Sequence, residues 1–310
     1  MGNYPYIVRN YRSSDFEDYV KLNIETEKLY PTERCISPQI LSENLGRPNY
    51  SPEQDLFIVE IGGKIVGSMN VTPELEAKRV ILDCLVHPEH RRRGLAKELL
   101  GYAVRRAKEL KTKVVRVNIR EDNATAKNVL SKLGFRIARR HLVLRLPLAK
   151  VQLADVAHHN YISRHLHHGE EDKLTQLQNH CFAGTWEFNP NTTEDIVYAV
   201  NLSHCSPEDV ILIYEGDKPA GYCWTSINYE AGAANSEKKG RIGMLGVDPD
   251  YRGRGIGRVA LLAGLAYLKN KGVRVVELGV DSENRTACTL YHSVGFKRWS
   301  SNLWYEKAVD

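Results

Sequence analysis

The sequence predicts an α/β chain built twice over, as two tandem domains that each wrap helices around a mixed sheet. Three observations carry this. The chain has 310 residues, roughly twice the length of an average domain. A stretch of about fifty residues recurs at an offset of 161: residues 86–135 match 247–296 without a gap, at 14 positions. Within each copy, strand-like runs alternate with helix-like ones, the pattern of an α/β sheet. An offset of a whole domain's length marks duplication and not a solenoid. The expected division is therefore 1–150 and 151–310, with the link at 147–160.

Each copy opens with a hairpin. In the first, strands at 55–60 and 65–71 flank Ile61-Gly62-Gly63-Lys64; in the second, strands at 210–215 and 220–227 flank Gly216-Asp217-Lys218-Pro219. A β-rich run follows (80–86; 242–247), then a proline and a turn rich in Arg and Gly. The next segment (95–110; 256–271) carries Leu99, Ala103, Ala107 and Leu261, Leu265, Leu268 at helical spacing, and Gly272 closes the second helix. Another strand (114–119; 273–280) precedes a short helix opened by Asn123 or Asn284, then Gly-Phe and a final strand. In the first copy that last strand includes 141–146.

Composition narrows the function. Hydrophobic residues make up 42% and charged residues 26%, too apolar for a disordered chain. The net charge of +5 does not demand a nucleic-acid partner. It is unevenly spread: residues 1–150 hold 27 Lys+Arg against 18 Asp+Glu, and residues 151–310 hold 16 against 20. The acidic second half would suit a cationic partner. No apolar run approaches the roughly 18 residues of a membrane span, and Met1–Pro5 lacks a signal-peptide layout. The six cysteines form no C-x-x-C pair, which reads as reduced core thiols in a cytoplasmic protein. His158, His159, His165, His167 and His168 cluster, but without closed tetrahedral spacing, so no metal is expected. Trp186, Trp299 and Trp304 read as core or interface aromatics, and Trp224 as a candidate substrate contact.

A strand running into an Arg/Gly turn and then a helix is the layout of an anion site. Glycines let the backbone approach, and the helix N-terminus offers unpaired N–H groups and a partial positive charge. The two turns are Arg91-Arg92-Arg93-Gly94-Leu95-Ala96 and Arg252-Gly253-Arg254-Gly255-Ile256-Gly257. Neither contains a Walker lysine or a G-x-G-x-x-G fingerprint. The run Arg91–Arg93 could belong to a nucleic-acid patch, but phosphate binding in this turn explains it first. A merely basic surface turn would not recur with Asn-x-x-Ala and Gly-Phe in register downstream.

On these residues both halves resemble the GCN5-related N-acetyltransferase (GNAT) superfamily. Arg91-x-x-Gly94-x-Ala96 and Arg252-x-x-Gly255-x-Gly257 match its pyrophosphate loop, and Asn284 to Phe296 matches its second signature. The resemblance implies a mixed, mostly antiparallel central sheet flanked by helices in each domain. It implies acetyl-CoA as cosubstrate and transfer of the acetyl group to a primary amine of a small molecule, in a monomer or homodimer. Backbone groups of Leu245, Gly246 and Val247 would meet the pantetheine and the thioester carbonyl, where an amide can stabilise an oxyanion. Amides of Arg252, Gly253, Arg254, Gly255, Ile256, Gly257 and Arg258 would hold the pyrophosphate, and Asn284 would bond the pantetheine. Tyr291, two helical turns on, would give its proton to the departing thiolate.

In the first domain, Leu85, Val86, Arg91, Arg92, Arg93, Gly94, Ala96 and Asn123 keep the cofactor-binding pattern, but Leu130 stands where Tyr291 stands in the second. Catalysis is therefore expected in 151–310, with 1–150 binding acetyl-CoA unproductively or serving as structure. The general base is open among Glu277, Glu230 and Asp281. Among tandem members, Gly221–Thr225, Leu245–Pro249 and Val280–Asn284 resemble the mycothiol synthase family, which acetylates a cysteinyl-glucosaminyl-inositol. Ser226, Arg241 and Gly279 depart from that family's Lys, acidic residue and Tyr. A protein N-acetyltransferase and a non-catalytic acyl-CoA sensor are the other readings.

Overall fold

A computed structural model describes residues 5–32, 35–151, 161–228 and 238–309. His158, His159, most of the expected link, Glu230 and residues 1–4 lie outside the described residues. The chain forms two compact units, Met1–Arg139 with Leu303–Asp310, and Arg140–Asn302. The division does not fall at 150, because the two halves of the sequence exchange their last strands.

The first unit orders its strands β1-β2-β3-β4-β5-β12: β1 Ile7–Asn10, β2 Leu56–Ile61, β3 Lys64–Glu74, β4 Arg79–Val86, β5 Val114–Arg120 and the end of β12 Lys297–Ala308. β4 and β5 pair in parallel, whereas β1–β2, β2–β3 and β3–β4 are antiparallel. Gly62 and Gly63 turn the β2–β3 hairpin at φ 54° and 79°, values open to glycine. On one face, Leu95, Leu99, Ala103 and Ala107 of helix α4 (Leu95–Glu109) pack with Val71, Val80, Val115 and the incoming Leu303 and Tyr305. On the other face lie α1 (Phe16–Leu29) and α2 (Pro38–Leu45), whose Tyr19, Leu41 and Leu45 cover Leu56 and Ile58. A single-turn α3 (Pro52–Asp55) leads into β2, and α5 (Ala124–Lys132) precedes β6 (Arg136–Pro147).

The second unit runs β6-β11-β10-β9-β8-β7, with β7 Ile162–His165, β8 Val210–Glu215, β9 Lys218–Asn228, β10 Lys239–Val247 and β11 Val275–Asp281. Again one pair, β10 with β11, is parallel, and β6 lies antiparallel to β11 from Val275↔Pro147 to Asp281↔His141. Helix α8 (Ile256–Asn270) buries Val259, Leu261, Leu262, Leu265 and Leu268 against Leu144, Ile242, Val276 and Leu278. It ends where Gly272 turns at φ 80°, as its sequence predicts. Helix α9 (Arg285–Val294) joins the same core through Tyr291. The opposite face carries α6 (Glu171–Phe182) and α7 (Thr193–Val200), which pack on Leu212, Tyr214 and Tyr222. Of the six cysteines, only Cys181 and Cys223 are buried, so the expectation of core thiols holds for two. No helix among the described residues is long and apolar enough to cross a membrane.

Candidate active site

Each sheet opens at the same place. In the second unit, parallel pairing runs from Lys239↔Val275 to Ile242↔Leu278 and stops, although both strands continue. In the first, it stops at Leu82↔Val117. The backbone edge of β10 beyond Ile242 therefore has no strand partner on the β11 side, leaving a wedge lined by main-chain donors and acceptors. Leu245, Gly246 and Val247 border one wedge, Leu85 and Val86 the other.

The wedge ends in the Arg/Gly turn. Gly253 and Gly255 take φ 78° and 84°; in the first unit Arg92 and Gly94 take 61° and 81°. These left-handed residues turn successive amides to one side and start α8 and α4 from a glycine N-cap. The N–H groups of Gly253, Arg254, Gly255, Ile256 and Gly257 find no acceptor among the described residues, and neither do those of Arg92, Arg93, Gly94, Leu95 and Ala96. Five free amides at a helix N-terminus fit a pyrophosphate without a metal or a Walker lysine. The expected span was wider: Arg252 already donates its amide to Pro249, and Arg258 donates its amide to Gly255.

The first arginine of each turn does something the sequence did not predict. Arg252 donates Nε to the Val247 carbonyl at 3.3 Å and Nη2 to the Cys181 carbonyl at 2.8 Å. Arg91 likewise donates Nε to the Val86 carbonyl at 3.1 Å and stacks over Tyr30. Both side chains pin the turn to the end of its strand, leaving phosphate to the amides. Arg254 reaches Glu215 at 2.9 Å, and Arg93 lies over Tyr6.

Asn284 and Asn123 cap α9 and α5 through Oδ1, accepting from Ala287 at 3.1 Å and Ala126 at 2.9 Å. Both residues are exposed, and each keeps its Nδ2 as a donor with no partner among the described residues. Tyr291 is buried, packed edge-to-face on Phe296, and its hydroxyl has no protein partner among the described residues. Burial, with Cys223 and Cys288 nearby, holds this phenol protonated well above the ordinary tyrosine range. Cys223 lies opposite Leu245 in register, so Tyr291 approaches the sheet level with the wedge. Leu130 fills the matching place with an inert side chain.

The two wedges differ in one further respect. The β9–β10 register slips between Ile242 and Met244, so Gly243 bulges out; the β3–β4 register is unbroken from Gly67↔Val86 to Glu74↔Arg79. A bulge leaves a residue unpaired and re-aims its neighbours. The sequence signal is a one-residue change of offset: 161 holds from Val86 and Val247 onward, whereas Leu82 matches Ile242 at 160.

Glu277 stands on β11 one residue before the wedge, and its carboxylate accepts from Arg145 Nε at 2.8 Å. The Arg145 guanidinium stacks over Trp299, 4.1 Å from the ring centre. Trp299 is 58% exposed, so of the two expected places, core or interface, the core is excluded. Asp281 instead accepts from the amide of Glu283. Trp224 packs with α6 and α7 on the face opposite α8. Among the described residues one group, His87, Glu89 and His90, brings three metal-ligating atoms within 4.8 Å of one another, on the turn before Arg91. His90 Nδ1 there already contacts the Tyr6 hydroxyl at 3.1 Å.

The profile of the acetyltransferase (GNAT) family matches residues 20–135 and again 172–296. The chain belongs to that family. Two matches in one chain agree with the duplication read from the sequence. A mycothiol acetyltransferase from Thermobifida fusca is 31% identical over 240 residues, covering 73% of each chain. Another from Actinosynnema mirum is 29% identical over 228 residues, covering 73% of this chain and 74% of its own. Among solved structures, a GCN5-related N-acetyltransferase from Sphaerobacter thermophilus superposes with a TM-score of 0.72 at 23% identity, over 98% of this chain and 96% of that one. A tandem GNAT protein from the clavulanic acid biosynthesis pathway gives 0.69 at 17% identity, over 99% of both. As a GNAT protein the chain is an N-acetyltransferase that uses acetyl-CoA, and the free amides and open strands fit that cosubstrate.

Proposed function

We propose that the second unit transfers the acetyl group of acetyl-CoA to a primary amine of a small molecule, by direct attack on the thioester. The first unit binds acetyl-CoA without turning it over, or serves as scaffold. One observation carries this division: the bulge at Gly243 and the unpartnered hydroxyl of Tyr291 occur together in the second unit, and both are lacking in the first among the described residues.

In this reading the amides of Gly253–Gly257 hold the pyrophosphate, and Asn284 Nδ2 donates to the pantetheine. The re-aimed backbone at Met244 and Leu245 donates to the thioester carbonyl as it gains charge. Tyr291 then donates to the leaving sulfur. Its raised pKa keeps the proton in place at every working pH. A phenol so reluctant to ionise acts first as a hydrogen-bond donor to the thiolate and releases its proton late.

An amine with a pKa near 10 must lose a proton before it attacks. Glu277, bound by Arg145, is the carboxylate at the narrow end of the wedge and the candidate acceptor of that proton through water. The test is CoA release from acetyl-CoA over a panel of primary amines, in wild type and Tyr291→Phe. The reading requires release with at least one amine and a fall of about tenfold or more in kcat for the variant. Release with no amine at all would favour an acyl-CoA sensor. A second reading, an acceptor like that of mycothiol acetyltransferases, draws on the 31% identity to one of them. It is tested by adding cysteinyl-glucosaminyl-inositol to the panel.

A further inference from the structure

The side chains at the narrow end of the second unit's wedge say what else the acceptor carries. Val276, Leu278, Ile242 and Leu144 point into the α8 core, so by alternation Glu277, Arg241 and Arg145 point to the opposite face. Arg241 faces Ser226 on one side and Glu277 on the other, its partners in register. Glu277 is already bound by Arg145, which Trp299 holds in place. Arg241 is exposed, and its side chain makes no hydrogen bond or ion pair among the described residues. Arg145 thus takes the one carboxylate, and the Arg241 guanidinium keeps its positive charge and a full fork of donors open.

That charge stands two residues from the bulge, about 7 Å along the strand. The acidic balance of residues 151–310 suggested a cationic acceptor, but the charge at the wedge is the reverse.

We propose that the acceptor is an amine that also carries an anionic oxygen group, a carboxylate or a phosphate, and that Arg241 binds that group while the amine faces the wedge. The proposal rests on the second unit being the acetylating one. A planar guanidinium matches either anion with paired hydrogen bonds, and a spacing of about 7 Å suits an amine and an anion a few bonds apart.

The test is CoA release with matched pairs of amines: 4-aminobutanoate against 4-aminobutanamide, and 2-aminoethyl phosphate against 2-aminoethanol. In wild type the anionic member of at least one pair should have kcat/KM about tenfold higher or more, chiefly through KM, as one charge-assisted bond allows. The pair that shows it identifies the anion. In Arg241→Ala that ratio should fall to about one, and Arg241→Lys should recover part of it. Calorimetric titration with acetyl-CoA reports whether each variant is folded. A wild-type ratio at or below one in both pairs overturns the proposal, as does a preference that survives in Arg241→Ala. Release with no amine of either pair overturns this proposal, while the small-amine reading falls only if the wider panel also gives none. Release without charge preference removes this proposal alone.

Discussion

Gly255 and Gly94 offer a controlled comparison of the two units. Both are glycine N-caps in the left-handed region, at φ 84° and 81°, with ψ −5° and −3°. A methyl group at either would meet nothing within 4 Å. Alanine at these positions therefore meets torsional strain without steric contact, about 1–2 kcal/mol, and nearly the same amount in each copy. The strain is relieved if the free loop swings to negative φ, which turns the next amides away from the pyrophosphate. Binding must then restore the left-handed turn at that cost, a rise of about 5- to 30-fold in the KM for acetyl-CoA. The assay is steady-state CoA release at saturating amine, with thermal unfolding measured alongside. Gly255→Ala and Gly94→Ala should lower stability comparably, and only Gly255→Ala should raise KM. An equal rise from Gly94→Ala would refute the assignment of turnover to the second unit. No rise from Gly255→Ala would refute the amide cradle itself.

Other outcomes follow from the same geometry. The Tyr222 hydroxyl is fully buried without a partner among the described residues, so Tyr222→Phe should be neutral or stabilise by about 1–2 kcal/mol in chemical denaturation. A methyl group on Gly246 would lie 2.6 Å from the Tyr222 ring and 3.0 Å from Cys181, so Gly246→Ala should destabilise by about 1–3 kcal/mol and disturb the pantetheine edge. If Glu277 accepts the amine's proton, Glu277→Gln should lower kcat/KM about tenfold or more near pH 7, and the loss should shrink as pH approaches the amine's own pKa. Burial pushes the Cys181 and Cys223 thiols up to about 12. Their neutral forms are thus favoured by folding: this stability is complete below the unfolded thiol pKa near 8.5 and lost as pH rises toward the folded value. Between pH 8.5 and 10 each should contribute a fall of about 2 kcal/mol, and Cys223→Ala should flatten the slope.

The parts of this molecule that are legible in its sequence are those with local causes. The hairpin at Gly62-Gly63, the caps Asn123 and Asn284, and the Arg/Gly turns are each written within a few neighbouring residues. Tyr291 and Leu130 could be compared because the copies align without a gap there. Helices α1, α2, α6 and α7 escaped notice because the duplicated motifs do not extend to them, yet they cover one whole face of each sheet. The pairing of Arg145 with Glu277 spans 132 residues, and no local pattern announces it. The bulge was hidden for a different reason: a single extra glycine shifts the offset by one and leaves the strand pattern intact.

The exchanged strands impose an order on the making of the protein. The second unit is one continuous segment, Arg140–Asn302, while the first needs Leu303–Asp310 to finish its sheet and bury Leu303 and Tyr305. Domains ordinarily fold in the order they leave the ribosome. Here the first unit can close its sheet only after Leu303–Asp310, which follow the whole of the second unit in sequence, have been made. A chain stopped before Leu303 would lack the two side chains, Leu303 and Tyr305, that the first unit buries in its core from beyond the second.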